Sequence, residues 1–202
     1  MKSARPADRY SDSAIALHWL LAIAIAGTFA LGFYMSDLKL SPTRIKLFNW
    51  HKWAGITILL ASAARLAWRA GHPPPPPAAG TNPVQQRIAE WTHRLLYVFF
   101  FAIPLFGWAH SSASGFQVVW FKLIPLPDFV PVDKALAKTL GQVHAALAYS
   151  MAGVVVLHVA AAIKHHWVDR DQVLRRMLPA RPPSAPAGAR APAAAQPPAG
   201  DL

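Results

Sequence analysis

The chain has 202 residues, 54% of them hydrophobic, no cysteine and a formal net charge of +11. Long uncharged runs separated by clustered charges are too apolar in blocks for a soluble domain, so the expected fold is all-α, an integral-membrane four-helix up-and-down bundle. The missing cysteines exclude disulfides, thiolate-held iron–sulfur clusters and covalent c-type haem; the basic residues sit mainly at the ends of apolar runs, where they meet lipid phosphates, and no basic stripe for nucleic acid exists.

Residues 1–13 form a polar, basic N-terminal segment with Lys2, Arg5 and Arg9. The first span is expected over 14–35, an uncharged run of 22 residues. It is longer than the roughly 7 to 15 apolar residues of a signal peptide and lacks a small-residue cleavage site, so it reads as a retained helix. His18 and Trp19 lie about one turn inside it. After Ser41-Pro42, the uncharged centre 53–64 is too short to cross a bilayer. It suffices if the helix runs over 47–68 with Lys52 and Arg65 reaching outward to the two interfaces. His51 then stands near its start, and Trp50, Trp53 and Trp68 fall at interfacial depths.

The run Pro73 to Pro77 ends that helix, because proline lacks the amide hydrogen and clashes with the preceding turn. A third span is expected over 87–111, in a helix starting near Val84, with Glu90, His93 and Arg94 in its first turns and Pro104 as a kink in its apolar centre. Residues 112–138 mix aromatics with prolines and are expected to lie on the bilayer surface. The fourth span is placed over 142–166, around an uncharged stretch of 21 residues from Val143 to Ile163. These spans make one domain, 14–178. Residues 179–202 hold 7 prolines and 9 alanines and are expected to be a disordered tail. With both termini on one side, Lys and Arg divide 13 to 7 in favour of that side, which places the termini in the cytoplasm.

The histidines carry the functional signal. His144 and His158 are 14 residues apart on the fourth helix, which at helical rise and twist separates them by about 21 Å and brings them within roughly 40° of one face. With the helices up and down in order, His18 matches the depth of His158 at the cytoplasmic end, and His51 matches His144 at the other. Two imidazoles facing each other across a bundle core can hold a planar iron porphyrin by both axial positions, and a six-coordinate iron favours electron transfer over oxygen binding. Hydrogen bonding between helices explains any one of these histidines as well, and metal or proton transport is the competing use of all four. Gly27, Gly32, Gly55, Gly141 and Gly153 would admit a porphyrin edge or serve ordinary helix packing. Elsewhere, His72 is expected in solvent and His110 at an interface. His165 is a rival cytoplasmic ligand beside His166, and His93 is either a quinone or haem-propionate contact or a polar cap.

The residues resemble the bacterial di-haem cytochrome b561 group. The matching elements are Ile15-Ala-Leu-His18-Trp19, His51-Lys-Trp-Ala-Gly55-Ile followed by Arg65-Leu and a proline-rich loop, Gly141-Gln-Val-His144, and Leu157-His158 through His165-His166. The resemblance covers about Arg9 to Pro179. It implies that His18, His51, His144 and His158 are axial ligands of two haem b groups, the pairs being His18/His158 on the cytoplasmic side and His51/His144 on the periplasmic side. It further implies an inner-membrane location, electron exchange with ubiquinone and, in some members, oxidation of superoxide at the periplasmic face.

The leading expectation is an electron-transferring oxidoreductase that links a periplasmic donor to quinone. For superoxide, the periplasmic connections carry a net +4, and Lys52, beside His51, is the individual candidate for contacting the anion. Snorkelling or a haem propionate explains that lysine too. A haem b conduit anchoring a hydrogenase or another dehydrogenase is the second reading, although related subunits often have an additional helix. A histidine-based metal or proton transporter is the third. A redox protein partner and a homo-oligomer are both compatible with the chain.

Overall fold

The computed structural model describes residues 9–72, 75–76 and 82–179. The expected tail beyond Pro179 and the first eight residues lie outside the described residues. Among the described residues four long helices make the body: α1 (Asp12–Ser36), α2 (Pro42–Gly71), α3 (Pro83–Ala113) and α4 (Lys134–Trp167). Each begins where a short polar side chain can satisfy a free backbone amide. Ser11 accepts from Ala14 N, Ser41 from Arg44 N, Asn82 from Val84 N and Asp133 from Leu136 N. Pro42 and Pro83 occupy the first helical positions, where a missing N–H costs nothing.

The helices run up and down. At one end, called proximal, the start of α1, the end of α2 and the chain after α4 converge. Arg9 donates to the Leu178 carbonyl (2.7 Å), Trp19 Nε1 to the Met177 carbonyl (2.7 Å), and Trp68 Nε1 to Ser11 Oγ (3.4 Å). A 3-10 turn, η1 (Arg175–Met177), lies across this end. At the opposite, distal end a small antiparallel hairpin, β1 (Val119–Trp120) with β2 (Ile124–Pro125), folds over the bundle. Trp53 Nε1 donates to the Val119 carbonyl (2.7 Å), and Val118 is 1% exposed. The 112–138 connection is therefore shorter than expected and partly tucked in. α3 reaches Ala113 and α4 starts at Lys134, eight residues ahead of the expected span.

Among the described residues three helices, α1, α3 and α4, are long and apolar enough to cross a membrane. The most apolar windows of α1 and α4 have mean hydropathy 2.1 and 2.0 but only 11% and 6% of them is buried, so their apolar surface faces outward toward lipid. α2 has the length, 30 residues, but not the apolarity, because Arg44, Lys46, Lys52, Arg65 and Arg69 punctuate it. Nor do Lys52 and Arg65 reach outward as expected. Lys52 Nζ bonds Ser111 Oγ on α3 (3.4 Å), and Arg65 bonds His18 on α1 (3.0 Å). An intramembrane cation gains more from a neighbour's polar atom than from lipid.

The interior core is small. Leu96, Phe99 and Phe100 of α3 pack on Met151 of α4, with Ile25 and Leu147 partly buried against them. Met151 lies seven residues from both His144 and His158, so this apolar layer separates the two ends of the bundle.

Two histidine pairs as the candidate functional site

The structure brings the four sequence-predicted histidines together in two pairs. At the distal end His51 of α2 faces His144 of α4, with ring centroids 6.0 Å apart and planes at 82°. At the proximal end His18 of α1 faces His158 of α4 at 6.3 Å and 61°. Two nitrogen–metal bonds of about 2 Å each, placed end to end, plus the distance from each nitrogen to its ring centre, require roughly 6 Å between centroids. Both pairs have that spacing.

Local chemistry explains how the distal rings are held. His144 Nδ1 lies 2.9 Å from the Ile103 carbonyl on α3. Since a carbonyl only accepts, the proton is on Nδ1 and Nε2 is left bare. Access to that carbonyl depends on Gly107, one turn later. A Cβ there would stand 3.0 Å from both Cε1 and Nδ1 of His144. The same device recurs on α1, where a Cβ on Gly32 would meet His51 Cε1 at 2.9 Å. The His51 ring addresses the Thr28 carbonyl one turn earlier. Its buried Nδ1 closes no complete hydrogen bond. A cavity of about 70 Å³ opens between the two rings and is lined by Thr28, Gly55, Phe99, Pro104, Ala148 and Met151, among others.

The proximal pair is wired differently. Arg65 approaches His18 Nδ1 at 3.0 Å, and a guanidinium can only donate, so here Nδ1 is the acceptor. Trp19 stands edge-on to His18 at 5.4 Å. A third imidazole, His93 of α3, comes within 5.4 Å of His158. The polar-cap reading of His93 fails, because α3 begins ten residues earlier and Asn82 is its cap. Helical spacing alone could not reveal this contact, since it depends on how α3 packs against α4.

The remaining histidines have other partners. His110, expected at an interface, turns inward, with Nδ1 2.8 Å from the Ala137 carbonyl and its ring over Gly141. Gly32 and Gly141 thus admit histidine rings, and Gly107, which the sequence reading passed over, does so as well. Gly27, Gly55 and Gly153 face open space. His165, the rival ligand, is engaged by Asp171 (2.6 Å) and Asp169 (3.2 Å) beyond the end of α4. Lys164 bonds Asp169 at 2.7 Å and holds its carboxyl below the usual range. His166 is half-buried in the last turn of α4, and His72 stacks on Trp68 at 4.0 Å.

Comparison with known proteins decides what such a bundle is. The pattern of the prokaryotic cytochrome b561 family matches residues 9–180. The chain belongs to this family. Cytochrome b561 homolog 2 of Escherichia coli K12 is 35% identical over 172 residues, covering 85% of this chain and 92% of its own. Cytochrome b561 homolog 1 of the same organism is 31% identical over 185 residues, 86% of this chain and 99% of its own. A Yersinia pestis protein named probable superoxide oxidase CybB is 31% identical over 176 residues, 85% and 96%. As a prokaryotic cytochrome b561 the protein is an integral membrane helical bundle of bacteria that binds haem b and transfers electrons. The distal residues fit that group. Two nitrogen donors stand at axial spacing around an apolar cavity, glycines make room for both rings, and no thiolate is needed.

Proposed function

We propose that the protein is a di-haem b cytochrome that moves single electrons across the bacterial inner membrane between a periplasmic donor and ubiquinone. The observation that carries this reading is the pair of imidazole couples at 6.0 and 6.3 Å on one face of α4. His51 and His144 bind one haem at the distal, periplasmic end, and His18 and His158 bind the other at the proximal, cytoplasmic end. Bound haem supplies one-electron chemistry. Ile103 holds the His144 proton on Nδ1, and an imidazole so fixed presents a constant basicity to iron. The layer of Phe99, Phe100 and Met151 excludes water between the two sites. A dry interior suits electron passage without proton leakage.

Superoxide is the donor we favour. One relative bears the name probable superoxide oxidase. The distal connections and helix ends carry Lys39, Arg44, Lys46, Lys52, Lys122, Lys134 and Lys138 against three aspartates, a field that draws a small anion inward. Lys52 follows His51 in α2 and bonds Ser111 in the last turn of α3, which holds its ammonium at the distal end of the bundle. The Pro/Ala-rich tail is read as a cytoplasmic extension of the 14–178 domain, with no role in either pair.

A pyridine haemochrome assay on the purified protein tests the stoichiometry. Two haem b groups per chain are expected; one group, or none, contradicts the reading.

A further inference from the structure

Arg65 poses a physical problem inside the bundle. It lies two turns before the end of α2 and is half-buried. Its guanidinium bonds His18 Nδ1 at 3.0 Å and stands over the Tyr97 ring at 5.9 Å. Its other electrostatic neighbours are Tyr10, Arg69, His158 and His93. Among the described residues no carboxylate pairs with it. A permanent cation in a membrane span is costly and is retained where something supplies the opposite charge. Neither an imidazole nor a phenol does so.

The proton arithmetic at His18 sharpens the problem. With Arg65 donating to Nδ1, the neutral ring carries its hydrogen on Nε2. An imidazole that binds iron through Nε2 must carry that hydrogen on Nδ1. One N–H is lost at Nε2 and one is formed at Nδ1, with no change in charge. Arg65 can then no longer donate to His18, since two donors would face each other. His144, by contrast, already has its hydrogen on the Ile103 side. Only the proximal pair must surrender a bond to its own chain.

We propose that Arg65 is the carboxylate-binding residue of the proximal site, holding a propionate of the haem between His18 and His158. This rests on the di-haem reading above. A guanidinium pairs with a carboxylate through two parallel hydrogen bonds, which a lysine does not reproduce.

The test is redox titration of the purified holoprotein as wild type, R65Q, R65K and H158A, with haem content measured alongside. In R65Q two haems per chain remain, and the reduction equilibrium of one of them shifts about tenfold toward the ferric form, which is a fall of about 59 mV for one electron. R65K keeps the charge, and its shift is under about threefold. In the H158A background, which retains only the distal haem, R65Q changes nothing. Redox-difference infrared spectra with haem labelled at its propionate carboxyls show the labelled bands displaced in R65Q. An unchanged potential in R65Q with both haems present overturns the proposal, as does a potential shift without any change in the labelled bands. Failure of H158A to lose a haem contradicts the di-haem reading instead, so the two failures are distinguishable.

Discussion

Gly107→Ala is the sharpest small perturbation of the distal site. In an exposed helix interior, replacing glycine by alanine stabilises by about 1 kcal/mol, so propensity alone predicts a firmer protein. The site predicts the opposite. The added Cβ would stand 3.0 Å from Cε1 and Nδ1 of His144, inside ordinary van der Waals contact, so the ring must retreat by several tenths of an ångström. It moves away from the Ile103 carbonyl, now 2.9 Å from Nδ1, and that hydrogen bond is worth roughly 0.5 to 1.5 kcal/mol. Losing the partner that fixes a ligand's tautomer typically lowers metal affinity 10- to 100-fold. Haem titration of protein made under haem limitation, read by absorbance, should show one of the two sites weakened by about that factor. Gly27→Ala is the control, because nothing lies within 4 Å of the new methyl. It should leave both sites unchanged. Wild-type haem affinity in Gly107→Ala would refute the claim that this glycine and carbonyl position His144.

Two other outcomes follow from single contacts. Lys52→Glu reverses the charge beside His51 and should slow reduction by superoxide by about tenfold or more at low ionic strength, with haem content intact and the deficit shrinking as salt is added; an equal rate in stopped-flow measurements would remove Lys52 from the account. At the proximal end, Lys164 depresses the carboxyl of Asp169 in the folded protein relative to its unfolded value of about 3.9. The contribution of that contact is therefore complete above about pH 4 and fades as pH falls through the lower folded value. Protection factors of residues 168–176, with exchange rates referred to the intrinsic rate at each pH, should fall on acidification below about pH 4, and Lys164→Gln should abolish that acid dependence.

Much of the scaffold was legible because it depends on spacing along one chain. The interval from His144 to His158 fixes their shared face by helical twist alone, and antiparallel order then selects His51 and His18 as partners. Hydropathy marks the fourth span only from about 142, where it rises near Val143, while the helix that contains it is nucleated earlier by Asp133. That cap was visible as a residue type, but the charged first turns concealed it. Charge alone points Arg65 to the interface, whereas its partner is a ring nitrogen on another helix. Gly107 and the Ile103 carbonyl escaped notice for a related reason. A backbone acceptor has no residue identity, and only the packing of α3 on α4 shows which carbonyl a histidine can reach. His93 belongs to the same class, since its approach to His158 is an interhelical fact.

The account stands most directly on the haem content of His144→Ala and His158→Ala, each compared with wild type in a pyridine haemochrome assay and a reduced-minus-oxidised spectrum. Two haems per chain in the wild type and one in each variant, with different spectral components remaining, are the predicted results. Two haems retained in either variant would contradict it.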